Sequence, residues 1–203
     1  VTDRGYTRHQ KQWRSRVADK LDRLLVQIET DAVVPVESAS GKEEYAAYTI
    51  RPKITRQLVR YMIAPQEPDP LVTGFEPDVP SVDITDVEGT LDSLALDRSV
   101  KPVDRLGGAS AAHRLLEDFV HGPLEQYHEK RSDPNAGVYS GLSPYLHFGQ
   151  ISPLEVALAV DENGGPGADA FLEELIVRRE LSLNFVNFNE HYDSYDCLPD
   201  WSH

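Results

Sequence analysis

Apolar residues recur at helical spacing near the start of the chain: Trp13, Val17, Leu21, Leu24 and Leu25, with Arg and Lys between them. That stripe predicts an amphipathic helix over about residues 7–25. The next two runs, residues 26–29 and 32–36, are rich in β-branched residues and end at charges or proline. They predict two short strands. Pro52 then stands where a first helical turn tolerates a missing N–H, and Ile54, Leu58 and Tyr61 share a face. A helix is therefore predicted over residues 52–62. These pieces are too few for a self-sufficient domain and read as the tail of an α/β domain.

The pattern changes at residue 64. Residues 64–105 carry six of the fourteen prolines, many Asp and Glu, and few aromatics. This is the composition of a linker. Helical periodicity returns at Gly107. Ala112, Leu115, Leu116 and Phe119 form one stripe of a helix over 109–120, with Ser110 placed as its N-cap. Residues 124–130 continue it after Pro123, and a polar loop follows over 131–137. Helices are predicted over 153–160 and 168–188, separated by a Gly/Pro-rich turn at 163–167. The sequence predicts an α/β segment (1–62), a linker (63–105) and an all-α segment (106–203), with no internal repeat.

Composition narrows the setting. Cys197 is the single cysteine, which excludes an internal disulfide and favours an intracellular, reducing location. That location is cytoplasmic, and nucleoid-associated if the source is bacterial. Neither a signal peptide nor a membrane span is visible in the sequence. The net charge of −14 argues against a phosphate-binding surface. It is unevenly spread, however. Residues 1–62 hold 12 Lys/Arg against 8 Asp/Glu, residues 63–105 hold 3 against 10, and residues 106–203 hold 5 against 16. A binder of nucleic acid needs only a local basic rim. The histidines and the cysteine show no metal-ligand spacing. His113 and His147 fall on apolar helical faces and read as core residues, and Tyr192, Tyr195 and Trp201 read as packing residues.

Two stretches carry candidate chemistry. GVYSGLSPYLHFGQISP, residues 137–153, gathers hydroxyls, a glycine and a proline ahead of an apolar run. Backbone N–H groups and serine hydroxyls at such a helix start can cradle a diphosphate. An ordinary capping turn has the same look. FLEELIVRRELSLNF, residues 171–185, is a helix with a charged centre: Glu173, Glu174, Arg178, Arg179 and Glu180. Glu174 and Arg178 stand in the favourable i,i+4 order of a surface ion pair.

Together the two stretches resemble the flavin-binding region of the photolyase and cryptochrome superfamily, and most closely the class II cyclobutane pyrimidine dimer DNA photolyases. The resemblance implies the end of an α/β antenna domain, a connector, and the first part of a helical FAD-binding catalytic domain. It implies that the chain is a fragment lacking both ends of a complete member. By the same resemblance Tyr127, twelve positions before Tyr139, and the segment Tyr139, Ser140, Gly141, Leu142 and Ser143 contact the flavin, with Phe171 lining its pocket. Arg131 would contact the DNA backbone. Glu174 would be the catalytic residue, bonded to the edge of the flipped dimer, and Arg178 would join Arg131 and Glu174 on the DNA. Val177 replaces the tryptophan of other classes, in keeping with class II.

The implied activity is light-dependent repair of pyrimidine dimers in DNA by electron transfer from reduced FAD, in a monomer with no metal and no membrane association. An antenna chromophore is possible but unassigned. The alternatives are a cryptochrome-like flavoprotein without repair activity, or a truncated chain inactive alone.

Overall fold

A computed structural model describes residues 1–66, 74 and 81–202. The chain divides into two compact units, Val1–Ala64 with Gly107–His203, and Pro65–Leu106. In the first unit, strand β1 (Thr2–Asp3) pairs in parallel with β2 (Gln27–Ile28), Thr2 opposite Gln27. Between them runs helix α1 (Arg8–Lys20), whose Thr7 N–H donates to Gln10 Oε1 at 3.1 Å. The helix is shorter than the apolar stripe predicts because the backbone turns extended at Leu21. None of its residues is buried, and Trp13 is 62% exposed, so the stripe lacks a cover among the described residues.

Of the two predicted strands, only the first forms. Residues 32–34 are buried, but their backbone partner is a side chain: Val34 N–H donates to Glu180 Oε1 at 2.8 Å. Val36 already opens helix α2 (Val36–Ala39). Helix α3 (Ala47–Tyr61) begins five residues before its predicted start and carries Pro52 inside it. Ile50 and Ile54, both fully buried on one face, anchor the helix on either side of the proline.

The predicted linker falls partly outside the described residues, its prolines 68, 70, 77 and 80 among them. What is described of the second unit includes a helix, α4 (Val87–Ser93), capped by Asp86, whose Oδ1 accepts from Gly89 N–H at 2.9 Å. Asp at an N-cap satisfies a donor that the helix leaves free. That local bond was hidden by the surrounding composition.

The first unit continues with α5 (Ala109–Val120), a 3-10 turn (Pro123–Gln126), α6 (Tyr127–Lys130), α7 (Ser143–His147), α8 (Pro153–Asn163) and α9 (Gly165–Leu172). Gly108, not Ser110, caps α5: its φ of +99° lets the chain enter the helix, and its N–H donates to Gln150 Oε1 at 2.9 Å. The long helix predicted over 168–188 is interrupted. A π turn (Glu173–Arg178) joins α9 to α10 (Arg179–Phe188).

The core draws Ile50 and Ile54 together with Leu116, Phe119, Leu124, Val156, Val160, Phe171 and Ile176. Its tightest backbone approach lies at Gly167. A Cβ there would stand 1.8 Å from the carbonyl oxygen of Leu124, so only glycine lets α9 meet the 3-10 turn. His113 and His147 are exposed, contrary to expectation. His113 pairs with Glu155 at 2.6 Å on the outside of α5 and α8. Tyr195 and Trp201 are also exposed, at 82% and 86%; only Tyr192 engages, accepting the Arg8 N–H at 2.8 Å.

Candidate flavin and DNA site

A cavity of about 380 Å³ is lined by Tyr127, Tyr139, Ser140, Gly141, Ser143, Leu146, Phe171, Glu174, Leu175 and Arg179. Its walls come from three separate stretches of chain. The start of α6 supplies Tyr127, the turn before α7 supplies 139–143, and α9 with the π turn supplies Phe171 and Glu174. Another cavity, of about 450 Å³, has His113, His121, Glu117 and Glu162 on its wall and contains none of the predicted site residues.

Each wall has a physical origin. Phe171 is held in an aromatic cluster, its ring centroid 4.8 Å from Phe119 and 5.3 Å from Tyr127. Edge-on and tilted rings of this kind fix one another beyond the area they bury. Burial pushes the Tyr127 hydroxyl up from its usual range, and the nearby Glu174 carboxylate pushes it further. The 139–143 segment turns at Gly141, whose φ of +67° favours glycine. Leu142 N–H donates to Ser140 Oγ at 3.3 Å. Leu142 itself is fully buried in the core, so any contact it makes with a ligand runs through its backbone. Tyr139 stands 69% exposed at the cavity.

Glu174 does not pair with Arg178. It accepts from Arg131 Nη1 at 2.5 Å, across 43 positions. Arg178 instead lies 3.3 Å from Glu173, five residues back. The i,i+4 pair expected of a regular helix is absent because the π turn lengthens the repeat: Arg179 N–H reaches the Glu174 carbonyl. Arg178 is half-exposed and does not line the cavity. Val177 is buried in the core. Thus Tyr127, Tyr139, Ser140, Gly141, Ser143, Phe171 and Glu174 come together, Arg131 joins them through Glu174, and Arg178 stands apart.

Four residues that shape this region, Arg51, Glu173, Glu180 and Asn184, were given no site role by the sequence. Arg51 of α3 grips Glu173 with two hydrogen bonds, at 2.9 Å from Nε and 2.6 Å from Nη2. Hydrogen bonding from Arg51 outweighs burial and holds the Glu173 carboxyl below its usual range. Glu180 and Asn184, both buried, bind the 34–44 region to α10. Asn184 accepts the Glu44 N–H at 2.8 Å and donates to the Lys42 carbonyl at 3.0 Å. The available signal was the spacing of polar residues, which a search for apolar stripes passes over.

Hydroxyls, a glycine turn, the Arg179 guanidinium and three aromatic rings around one cavity suit a ligand that joins a phosphate to a flat ring. Among the described residues, no group of three or more His, Cys, Asp or Glu is arranged to hold a metal, and no helix is long and apolar enough to cross a membrane.

No protein-family model matches the chain. It does align over its full length with three proteins named deoxyribodipyrimidine photo-lyase. That of Methanothermobacter thermautotrophicus is 43% identical over 206 residues, which are 44% of that protein. Those of Potorous tridactylus and Arabidopsis thaliana are each 34% identical, with 38% and 43% of their lengths covered. The chain therefore spans less than half the length of these curated relatives. By homology along its own length, it belongs to the photolyase family.

Proposed function

We propose that the protein carrying this chain is a class II DNA photolyase, which repairs cyclobutane pyrimidine dimers with light and reduced FAD. The observation that carries this reading is the convergence of Tyr127, the 139–143 turn, Phe171 and Glu174 on one cavity, with Arg131 bound to Glu174. The donor set fits the cofactor: serine hydroxyls and a glycine turn for its phosphates, and aromatic walls for its rings. Bound and reduced, the flavin would supply the light-driven electron that splits the dimer.

The chain's own residues do the rest. Ser140 and Ser143 donate to phosphate, Gly141 and Leu142 bring backbone close to it, and Tyr127, Tyr139 and Phe171 confine the ligand. Glu174 hydrogen-bonds the edge of the extruded pyrimidine pair and steadies the charge that develops there. Arg131 takes a DNA phosphate, which a planar guanidinium binds through two parallel bonds. Arg178, half-exposed on the same stretch, is the second phosphate contact in this reading.

The test is Glu174→Gln in the intact protein. Dimer repair under light should fall roughly tenfold or more, as for the loss of one charge-stabilising group, while flavin remains bound. Undiminished repair would remove Glu174 from the mechanism. Loss of the flavin would mean that Glu174 serves the cofactor instead.

A further inference from the structure

We propose that Glu173 is a positioning residue: clamped by Arg51 of α3 and by Arg178, it fixes the π turn in place and thereby aims its neighbour Glu174 at the cavity and Arg131. Two adjacent glutamates and two adjacent arginines could pair in several registers. In an unbroken α-helix, Glu174 and Arg178 would meet at i,i+4. The structure instead joins Glu173 to Arg178 at 3.3 Å, five residues apart, and leaves Glu174 to Arg131 at 2.5 Å.

The burial pattern explains why an extra residue has to be accommodated. Phe171, Leu175, Glu180 and Asn184 form one buried line along the helix, with steps of four, five and four residues. Both ends of that line are fixed. Phe171 sits among the rings of Phe119 and Tyr127, while Glu180 and Asn184 hold Val34, Glu44 and Lys42. A surplus residue is thus confined between two anchored segments, but the anchors alone leave open where in the intervening turn it sits. Such single-turn π insertions recur at functional sites.

Arg51 supplies the missing constraint. It comes from α3, outside this helix, and its two-pronged grip on Glu173 fixes both distance and orientation. With Glu173 turned toward α3, Glu174, about a quarter-turn further round the helix, faces Tyr127 and Arg131. Without the clamp, the extra residue can shift along the turn and Glu174 is free to close on Arg178. The functional weight of this inference rests on the proposed role of Glu174; its structural content does not.

The experiment is NMR of the Arg131 side-chain Nε–H in this chain, with Glu174→Gln as the reference for a broken Arg131–Glu174 pair. Arg51→Gln and Glu173→Gln should each move the Arg131 resonance to its position in E174Q. An Arg131 resonance that stays put in both single variants overturns the proposal. Arg51 is partly exposed, so R51Q tests the clamp even if E173Q fails to fold. In the intact protein, R51Q should then lower dimer repair while flavin stays bound. If E174Q leaves repair unchanged there, the lesion assignment fails, and the NMR result still decides whether Glu173 positions its neighbour.

Discussion

Glu180 Oε1 accepts the backbone N–H of Val34 at 2.8 Å, so an acidic side chain from α10 stands in for a neighbouring strand along a segment 146 positions earlier. The carboxyl is 1% exposed, and its second oxygen has no hydrogen-bond partner among the described residues. Burial pushes it up to about 8, with Glu29 adding to the rise and the Val34 N–H and Arg179 opposing it.

A pH dependence of stability follows. Between about 4.5 and about 8 the folded chain keeps a proton on Glu180 that the unfolded chain has released. Stability from this group is complete below that window and is lost as pH rises through it, by roughly 5 kcal/mol at most. Glu180→Gln keeps an acceptor for Val34 and removes the charge. Urea unfolding midpoints should fall between about pH 5 and about pH 8 in the natural chain, and the fall should flatten in E180Q.

Glu44 acts in the opposite sense. Burial pushes its carboxyl up, but hydrogen bonds led by those from Lys53 and Ser40 win and hold it down to about 2. Its stabilisation is present above about 4.5 and is lost as pH falls toward 2. Lys53→Met should cost about 2 kcal/mol at neutral pH, by stranding a buried carboxylate. The same change should move acid unfolding to higher pH, as read by circular dichroism across an acid titration.

Gly167→Ala should be among the most damaging small substitutions in this unit. The added methyl would meet the backbone of Leu124, which cannot rotate away as a side chain would. Overpacking at such a site costs about 3 kcal/mol. Thermal melting of G167A against Gly165→Ala, where a Cβ meets open space but φ is +86°, separates the clash from backbone conformation.

Phe171→Leu should cost about 1.5 kcal/mol, because it removes the ring contacts with Phe119 and Tyr127 while keeping an apolar side chain. If the cavity holds FAD, the variant should also lose flavin retained after desalting, beyond what its melting temperature accounts for. Equal retention in F171L and the natural chain would place Phe171 in the core alone.

Much of the helical half was legible because its pattern is apolar: Ala112, Leu116 and Phe119 repeat at helical spacing, and α5 forms where they do. Most residues around the cavity lie in the two motifs singled out by residue type, and Tyr127 was placed by its twelve-position spacing from Tyr139. What escaped was held by polar groups. The buried run 32–34 looked like a strand because Val33 and Val34 are β-branched, and nothing local indicated that its partner would be Glu180. The exposed stripe of α1 was read correctly as apolar but not as uncovered. The π turn was hidden for a related reason: two of the four residues on its buried line, Glu180 and Asn184, are not hydrophobic.

The π turn also makes chain length a constraint of its own. One residue of regular helix is about 100° of rotation. A deletion within 173–178 would take out the surplus residue and let the turn close into an ordinary repeat, the steps along the buried line becoming four, four and four. Phe171 would keep its rings, and Glu180 and Asn184 the backbone they hold, so the change would fall on the charged residues between them. Substitutions in these six positions alter individual contacts; a missing residue would reassign which glutamate meets which arginine while both anchored ends stay in place.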